Sequence, residues 1–262
     1  MVADHGRYNA RKMRLWFVCC ALVAANAQDP SLLDKVKARA GENLKRLPNY
    51  TCTETIDRFV ERRRFGKLHR APVRLDVAYV GGKELFGRPG SGKIDEPDIA
   101  KFVDRPIGNG QFALFVRSIF LGQGAQIGLP VKTKLEGQQS FRFDYRIPLA
   151  FSGFRIQSAV GEAIVAYSGS FWVAESLDLM RLVVSAQDLP PQIKIASDVQ
   201  TIDYSPISIG GVLFLLPLRS SWETKDVFGW AARNTTTFRN CHEFIGESVL
   251  KFGDTENSPR PK

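Results

Sequence analysis

The spacing of hydrophobic residues changes character once along the chain, near residue 48. Between Asp29 and Pro48, the residues Leu33, Val36, Ala40, Leu44 and Leu47 recur at three- and four-residue intervals, while Lys35, Lys37, Arg39 and Lys45 fall off that stripe. This period predicts an amphipathic helix over 30–47. Asp29 caps it, Pro30 takes the first helical position, and Pro48 stops it. After Pro48 the period shortens towards two. "YTCTETIDRFV" reads as a strand leading into a basic loop, "ERRRFGKLHRAPVR", and "RLDVAYV" and "KELF" flank Gly81-Gly82 as a tight hairpin. "QFALFVRSIFL" (residues 111–121) reads as a second, short helix, ended by "GQGAQIG".

From about residue 132 the pattern predicts strands almost exclusively. In "SFRFDYRIP", Phe141, Phe143, Tyr145 and Ile147 alternate with Arg142, Asp144 and Arg146, as in an antiparallel strand with one face buried. "GFRIQSA", "AIVAYSGSFWV", "DLMRLVVSA", "QTIDYSPISIG", "VLFLLPLRSSWET" and "NTTTFRNCHEFIGES" follow at hairpin spacing. A parallel sheet would need a crossover helix after nearly every strand, and the sequence has too few. The fold class expected is therefore α+β, mostly β. One long, curved antiparallel sheet forms a half-open barrel, covered by the N-terminal amphipathic helix and the second short helix.

The amino terminus changes the picture. "RKMRLWFVCCALVAANA" carries a basic start, an apolar run from Leu15 to Ala25 and a small-residue site, which together predict a secretory signal cleaved after Ala27. The signal is complete without residues 1–12, which makes Met13 a candidate for the real start. The expected organisation is a signal peptide at 1–27, one folded domain at 28–252 and a disordered polar tail at 253–262, with a periplasmic or secreted destination. Arg7, Arg11, Lys12, Arg14 and Asp4 leave with the signal, lowering the net charge from +9 to +6. Cys19 and Cys20 leave too, so only Cys52 and Cys241 remain. An even pair in an oxidising compartment predicts a Cys52–Cys241 disulfide closing nearly the whole domain.

Catalytic and nucleotide-binding motifs are poorly supported. "GRPGSGKI" (residues 87–94) has most of the spacing of a phosphate-binding loop. However, Ile94 stands where a magnesium-binding hydroxyl belongs, and Pro97 interrupts the required helix. It reads as a hairpin loop, and no nucleotide is expected. Two cysteines and the neighbouring His242 fall short of a four-ligand metal site. No G-x-S-x-G elbow occurs. Ser248 and Lys251 match S-x-x-K, but their odd offset places them on opposite faces of a strand. Glu54, Asp57, Glu162 and Glu175 form no acid–base pair at the level of sequence. A hydrolase built from carboxylates on distant strands is therefore kept only as an alternative. No cofactor, metal or nucleic acid is implied. Arg62, Arg63, Arg64, Lys67, Arg70 and Arg74 form a basic cluster with two readings. It is either a patch for anionic head groups at a membrane surface or an acidic partner, or a solvated hairpin tip that discourages edge pairing.

The first helix, the hairpin "VAYVGGKELF", the passage "GSFWVAESLDLMRLVVSA" and the late hairpin "IDYSPISIGGVLFLLPLRSS" together resemble the LolA/RseB-like superfamily of periplasmic lipoprotein carriers and lipid or lipoprotein sensors. Ala174 stands where that family's passage usually has Asp. The resemblance implies a non-enzymatic role, with lipid acyl chains or a lipidated protein held between curved sheet and helical lid. The candidate lining residues are Phe112, Phe115, Phe120, Phe141, Phe143, Tyr145, Phe171 and Trp172. The alternative is an exported interaction module of the same fold, whose groove is filled by its own side chains.

Overall fold

The computed structural model describes residues 31–62, 66–103 and 115–244. The signal sequence, Phe112, Arg63, Arg64 and the C-terminal tail lie outside the described residues. Helix α1 (Ser31–Arg46) leads into β1 (Tyr50–Arg62), β2 (Gly66–Val80) and β3 (Lys83–Gly87). A helical turn over 115–121 precedes β4 (Gln126–Ile127), β5 (Val131–Leu135) and β6 (Gln138–Ile147). A small pair, β7 (Arg155–Gln157) and β8 (Glu162–Ile164), is followed by β9 (Ala166–Ala174) and β10 (Leu179–Gln187). Three long strands complete the order: β11 (Ile195–Ile209), β12 (Val212–Asp226) and β13 (Trp230–Glu243).

Apart from β7 and β8, these strands form a single antiparallel sheet of 11 strands in the order β3-β2-β1-β13-β12-β11-β10-β9-β6-β4, with β5 also on β6. Its two ends do not pair, so the sheet is open, as the alternating pattern predicted. The long step in the order is β1 beside β13, which brings the beginning and end of the strand region together.

Curvature comes from interruptions in the ladders. Register shifts occur between β1 and β13, β1 and β2, β9 and β10, and twice between β11 and β12. Each such bulge bends its strand and adds twist. Two prolines sit at these points, Pro72 between Val73 and Arg70 and Pro217 beside the skipped Leu218. Proline cannot donate to a ladder, so a bulge is where a long strand tolerates it. Gly81-Gly82 closes the β2–β3 hairpin as the sequence predicted, with φ of 58° and 83°. Gly210-Gly211 repeats that geometry between β11 and β12, with φ of 58° and 81°.

One transverse row shows how the inner face is built. Val73, Ile56, Thr236, Ser220, Ile202, Leu182, Phe171 and Phe143 stand directly opposite one another across eight strands. All but Val73 are buried. The wall is apolar at the β6–β10 end and more polar in the middle, where Asn234, Gln200 and Thr224 are also buried. Gly169 makes a special close approach possible. A Cβ there would run into the Val183 carbonyl, and the Tyr145 hydroxyl, 2.9 Å from that same carbonyl, donates to it across the gap.

Two parts of the sequence reading change. The basic segment is mostly strand, because β1 continues to Arg62 and β2 begins at Gly66. Alternation then divides its charges: Arg62 and Arg70 share a face with Arg58, while Lys67 and Arg74, opposite Glu61 and Thr55, are on the other. The second helix is in part a π turn, with Gly122 N–H donating to the Arg117 carbonyl at 2.9 Å. The glycine loop "GRPGSGKI" behaves as a hairpin loop. Phe86 and Glu96 exchange backbone hydrogen bonds of 2.8 and 3.2 Å across it, and Gly90 N–H donates to the Asp76 carboxylate at 2.9 Å.

Cys52 and Cys241 are joined by a disulfide, with their Cα atoms 4.1 Å apart at the β1–β13 bulge. A bond of this kind persists in an oxidising compartment. It spans 189 residues of sequence, so chain entropy sets its stabilisation at up to about 5 kcal/mol. Thiol labelling of the denatured, unreduced protein is expected to find neither cysteine free, and reduction to lower the urea midpoint markedly. Two labelled thiols would contradict the bridge.

Candidate functional site

The stripe predicted for the first helix faces the sheet. Val36 is 1% exposed, and Ala40, Leu44 and Leu47 follow it down the same side. Gly41 is buried against Leu121 of the second helical segment, where an added Cβ would stand 3.3 Å from a Leu121 methyl. On its polar side α1 is tied to the β9–β10 turn. Arg39 Nε and Asn43 Nδ2 donate to Asp178 Oδ1 at 2.8 and 3.4 Å, and Ser176 donates to Asp178 Oδ2 at 3.1 Å. These bonds hold the Asp178 carboxyl below its usual range, although partial burial pushes the other way.

Between α1 and the sheet lies a pocket with about 660 Å³ of free space, part of it open to solvent. About 60 Å³ of that can take the centre of a water molecule. Val36, Ala40, Leu44 and Leu47 form its roof, with Val116 and Phe120 from the second helical segment. Val173, Leu177, Leu179, Leu215, Leu216 and Pro217 form its floor and sides. Leu177 is notable because it holds φ at 69°, a left-handed conformation that costs a non-glycine residue about 1 kcal/mol or more. In that conformation its side chain lines the pocket.

A second cavity, with about 410 Å³ of free space, shares Tyr50, Tyr79, Glu84, Leu216 and Pro217 with the first. Its floor follows from register. Tyr50, Tyr79 and Glu84 are opposite one another across β1, β2 and β3, and Cys52, Val77 and Phe86 form the next row. Glu54 belongs to the row after that, is 2% exposed, and its Oε2 has no hydrogen-bond partner among the described residues. Burial alone pushes the Glu54 carboxyl from an ordinary 4.5 up to about 8. Burial likewise raises the Tyr50 and Tyr204 hydroxyls, and the nearby Glu84 charge adds to both shifts.

The structure separates the aromatic residues singled out from sequence. Phe120 lines the pocket beneath α1. Phe143, Tyr145 and Phe171 are buried against one another in the neighbouring part of the inner face, and Phe115, also buried, meets Phe154 and Tyr167 edge-on in the same cluster. The Phe143 and Phe171 rings stack at 4.9 Å, and Phe120 meets Phe171 edge-on at the same distance. Phe141 is half-buried at the margin of this cluster. Trp172 stands on the opposite face from Phe171, because neighbours in a strand alternate, and it lines neither cavity. The polar residues Glu54, Glu84, Tyr50, Tyr79 and Tyr204 carried no sequence signal as a group, since only strand order and register bring them together.

Among the described residues no group of three or more His, Cys, Asp or Glu side chains could hold a metal ion. Among the same residues no helix is long and apolar enough to cross a membrane.

The buried carboxyl gives stability a sign with pH. Between about 4.5 and 8 the folded protein keeps a proton on Glu54 that the unfolded chain releases, so stability falls as pH rises through that window. Asp198, pushed up to about 6 mainly by burial despite the Trp222 indole donating at 2.9 Å, adds to the fall in its lower half. The urea midpoint is expected to be higher at pH 5.5 than at pH 8.5. Glu54→Gln should flatten most of the decline above pH 6. An unchanged pH profile in that variant would contradict the assignment.

No family model matches the sequence, and no curated protein matches it significantly. Five solved chains match at low similarity, three of them as follows. The first is a putative outer membrane lipoprotein-sorting protein domain from Vibrio parahaemolyticus, with a TM-score of 0.42 at 13% identity, over 85% of this chain and 96% of that one. The second is a DUF1329 family protein from Desulfovibrio piger, with a TM-score of 0.41 at 12% identity, over 83% and 94%. The third is the LolA superfamily protein NE2245 from Nitrosomonas europaea, with a TM-score of 0.32 at 10% identity, over 83% and 94%.

Proposed function

We propose that this chain is an exported, non-enzymatic binding protein that holds an acyl chain of a lipid or lipidated protein between α1 and the curved sheet. The observation that carries this reading is the cavity beneath α1, lined mostly by aliphatic residues of α1, the helical segment and the sheet, together with Asn43, Tyr50, Tyr79, Glu84, Phe120 and Tyr204. Each CH₂ moved from water into such a space gains about 0.8 kcal/mol, so even part of an acyl chain supplies useful affinity. The polar tie of α1 to the β9–β10 turn, made by Arg39 and Asn43 to Asp178, is weak enough to suit reversible loading. Arg39 is 36% and Asp178 26% exposed, and a pair so placed contributes no more than about 1 kcal/mol.

The interaction-module alternative describes the other part of the inner face, where Phe115, Phe143, Tyr145 and Phe171 are buried within one core cluster. The two readings therefore divide the inner face between them.

Filling the pocket tests the proposal. Ala40→Phe places a ring into the free space beneath α1. It is expected to weaken binding of a fluorescent fatty acid at least tenfold while leaving thermal stability unchanged or higher. Asp178→Ala is expected to keep binding but speed release about fivefold. Full binding by Ala40→Phe, or no fatty acid bound by the unaltered protein, would remove the acyl-chain reading.

A further inference from the structure

The two adjoining cavities leave protein polar groups unpaired. Tyr204 lines the first and Glu54 the second, while Tyr50, Tyr79, Leu216 and Pro217 line both. The Tyr204 hydroxyl and Glu54 Oε2 are each closed off from solvent, and neither has a hydrogen-bond partner among the described residues. Leaving such groups unpaired opposes folding, and their place beside free space points to a partner brought by a ligand. Glu84 also lines both cavities but is already engaged, so it needs none. Both unpaired groups keep their protons near neutral pH. Burial alone pushes Glu54 up to about 8, and burial is also the main cause that raises the Tyr204 hydroxyl. Tyr204 is thus a donor without an acceptor, and the protonated Glu54 carboxyl can both donate and accept.

We propose that these cavities form a subsite for the uncharged head of a single-chain glycerol ester, whose ester carbonyl accepts from the Tyr204 hydroxyl while a glycerol hydroxyl pairs with Glu54. The inference rests on the acyl-binding reading above and adds the chemistry of the head. An ester carbonyl is the acceptor that ends an acyl chain, and Tyr204 lines the same cavity as Val36 and Leu44 of the roof. The glycerol hydroxyls lie just beyond the carbonyl, as the second cavity lies beside the first. A hydroxyl can donate to Glu54 or accept from it, which satisfies the carboxyl with no change of charge. Charged heads fit less well. The burial that disfavours the Glu54 carboxylate also penalises a second anion in the same place. An ammonium would ionise Glu54, but stripping water from both ions offsets the gain from the buried pair. A site built to pair a polar group rejects the analogue that lacks it, because its own groups then stay unpaired.

The test is a competition at pH 7 on the protein loaded with N-phenyl-1-naphthylamine, an uncharged fluorescent probe. Five competitors are titrated below their micelle concentrations: monolauroylglycerol, its dodecyl ether analogue without the carbonyl, methyl laurate without the hydroxyls, laurate and dodecylammonium. Monolauroylglycerol is expected to displace the probe at a concentration at least tenfold lower than any of the other four. Tyr204→Phe should shrink its advantage over the ether at least fivefold, and Glu54→Leu its advantage over methyl laurate by as much. Both substitutions remove an unpaired buried group, so each ligand-free variant should melt no lower than the unaltered protein. Equal displacement by ester and ether, an ionic head binding tightest, or advantages surviving both substitutions would overturn the subsite while leaving the acyl-binding reading intact. A variant that melts well below the unaltered protein, or fails to fold, would show its group to be paired within the protein and would overturn the subsite too. Failure of the probe and of every competitor to bind would instead overturn the acyl-binding reading, and this inference with it.

Discussion

An open antiparallel sheet with one apolar face cannot stand alone in water, and the rest of this structure depends on how that face is covered. The β6–β10 end is closed by aromatic side chains and the short helical segment at 115–121. The end formed by β1–β3, β12 and the β9–β10 turn is roofed by α1. The two coverings differ in kind. The first is packed ring against ring, whereas the second is a helix whose apolar stripe packs on the core and whose polar side is tied to Asp178 by Arg39 and Asn43. Space remains under the second, roofed by Val36, Ala40, Leu44 and Leu47. The strained Leu177 turn narrows the space but does not fill it.

The same constraint explains the buried polar groups. Long strands cross the whole sheet, so a residue on the inner face is buried whether or not it is apolar. Glu54 and Tyr204 are placed there by alternation within strands whose other inner residues belong to the core. An unpartnered buried polar group costs about 1–3 kcal/mol. Two such groups at adjoining cavities mark the part of the wall best suited to meet a polar ligand atom.

Much of the architecture was legible in the sequence because its signals are local. The 3.6-residue stripe of α1, the Gly81-Gly82 turn and the alternation of "SFRFDYRI" depend on neighbours within a few positions, and each appears in the structure as read. The cysteine pair was legible through arithmetic instead, since only two remain after the expected cleavage. What escaped the sequence was set by register. Whether a given Phe packs only in the aromatic cluster or also faces the free space depends on which elements adjoin it: Phe143, on β6, stacks on Phe171, whereas Phe120, on the helical segment, meets Phe171 and also lines the pocket. Trp172 was misplaced beside Phe171 because two adjacent aromatic residues cannot share one face of a strand. The basic run escaped as a strand because its charges mask a period of two and its Pro72 suggests a loop, although a bulge accommodates it. Tyr50, Tyr79 and Glu84 become one group only when β1, β2 and β3 are laid side by side.

Isotope-filtered nuclear Overhauser spectroscopy with a ¹³C-labelled dodecyl ligand tests the central claim most directly, since it reports which methyl groups the bound chain touches. The account predicts cross-peaks from the chain to Val36, Leu44, Leu177 and Leu215, which roof and floor the same space. Contacts confined to the exposed Val212 and Leu213 at the β11–β12 tip, with none to α1, would contradict it.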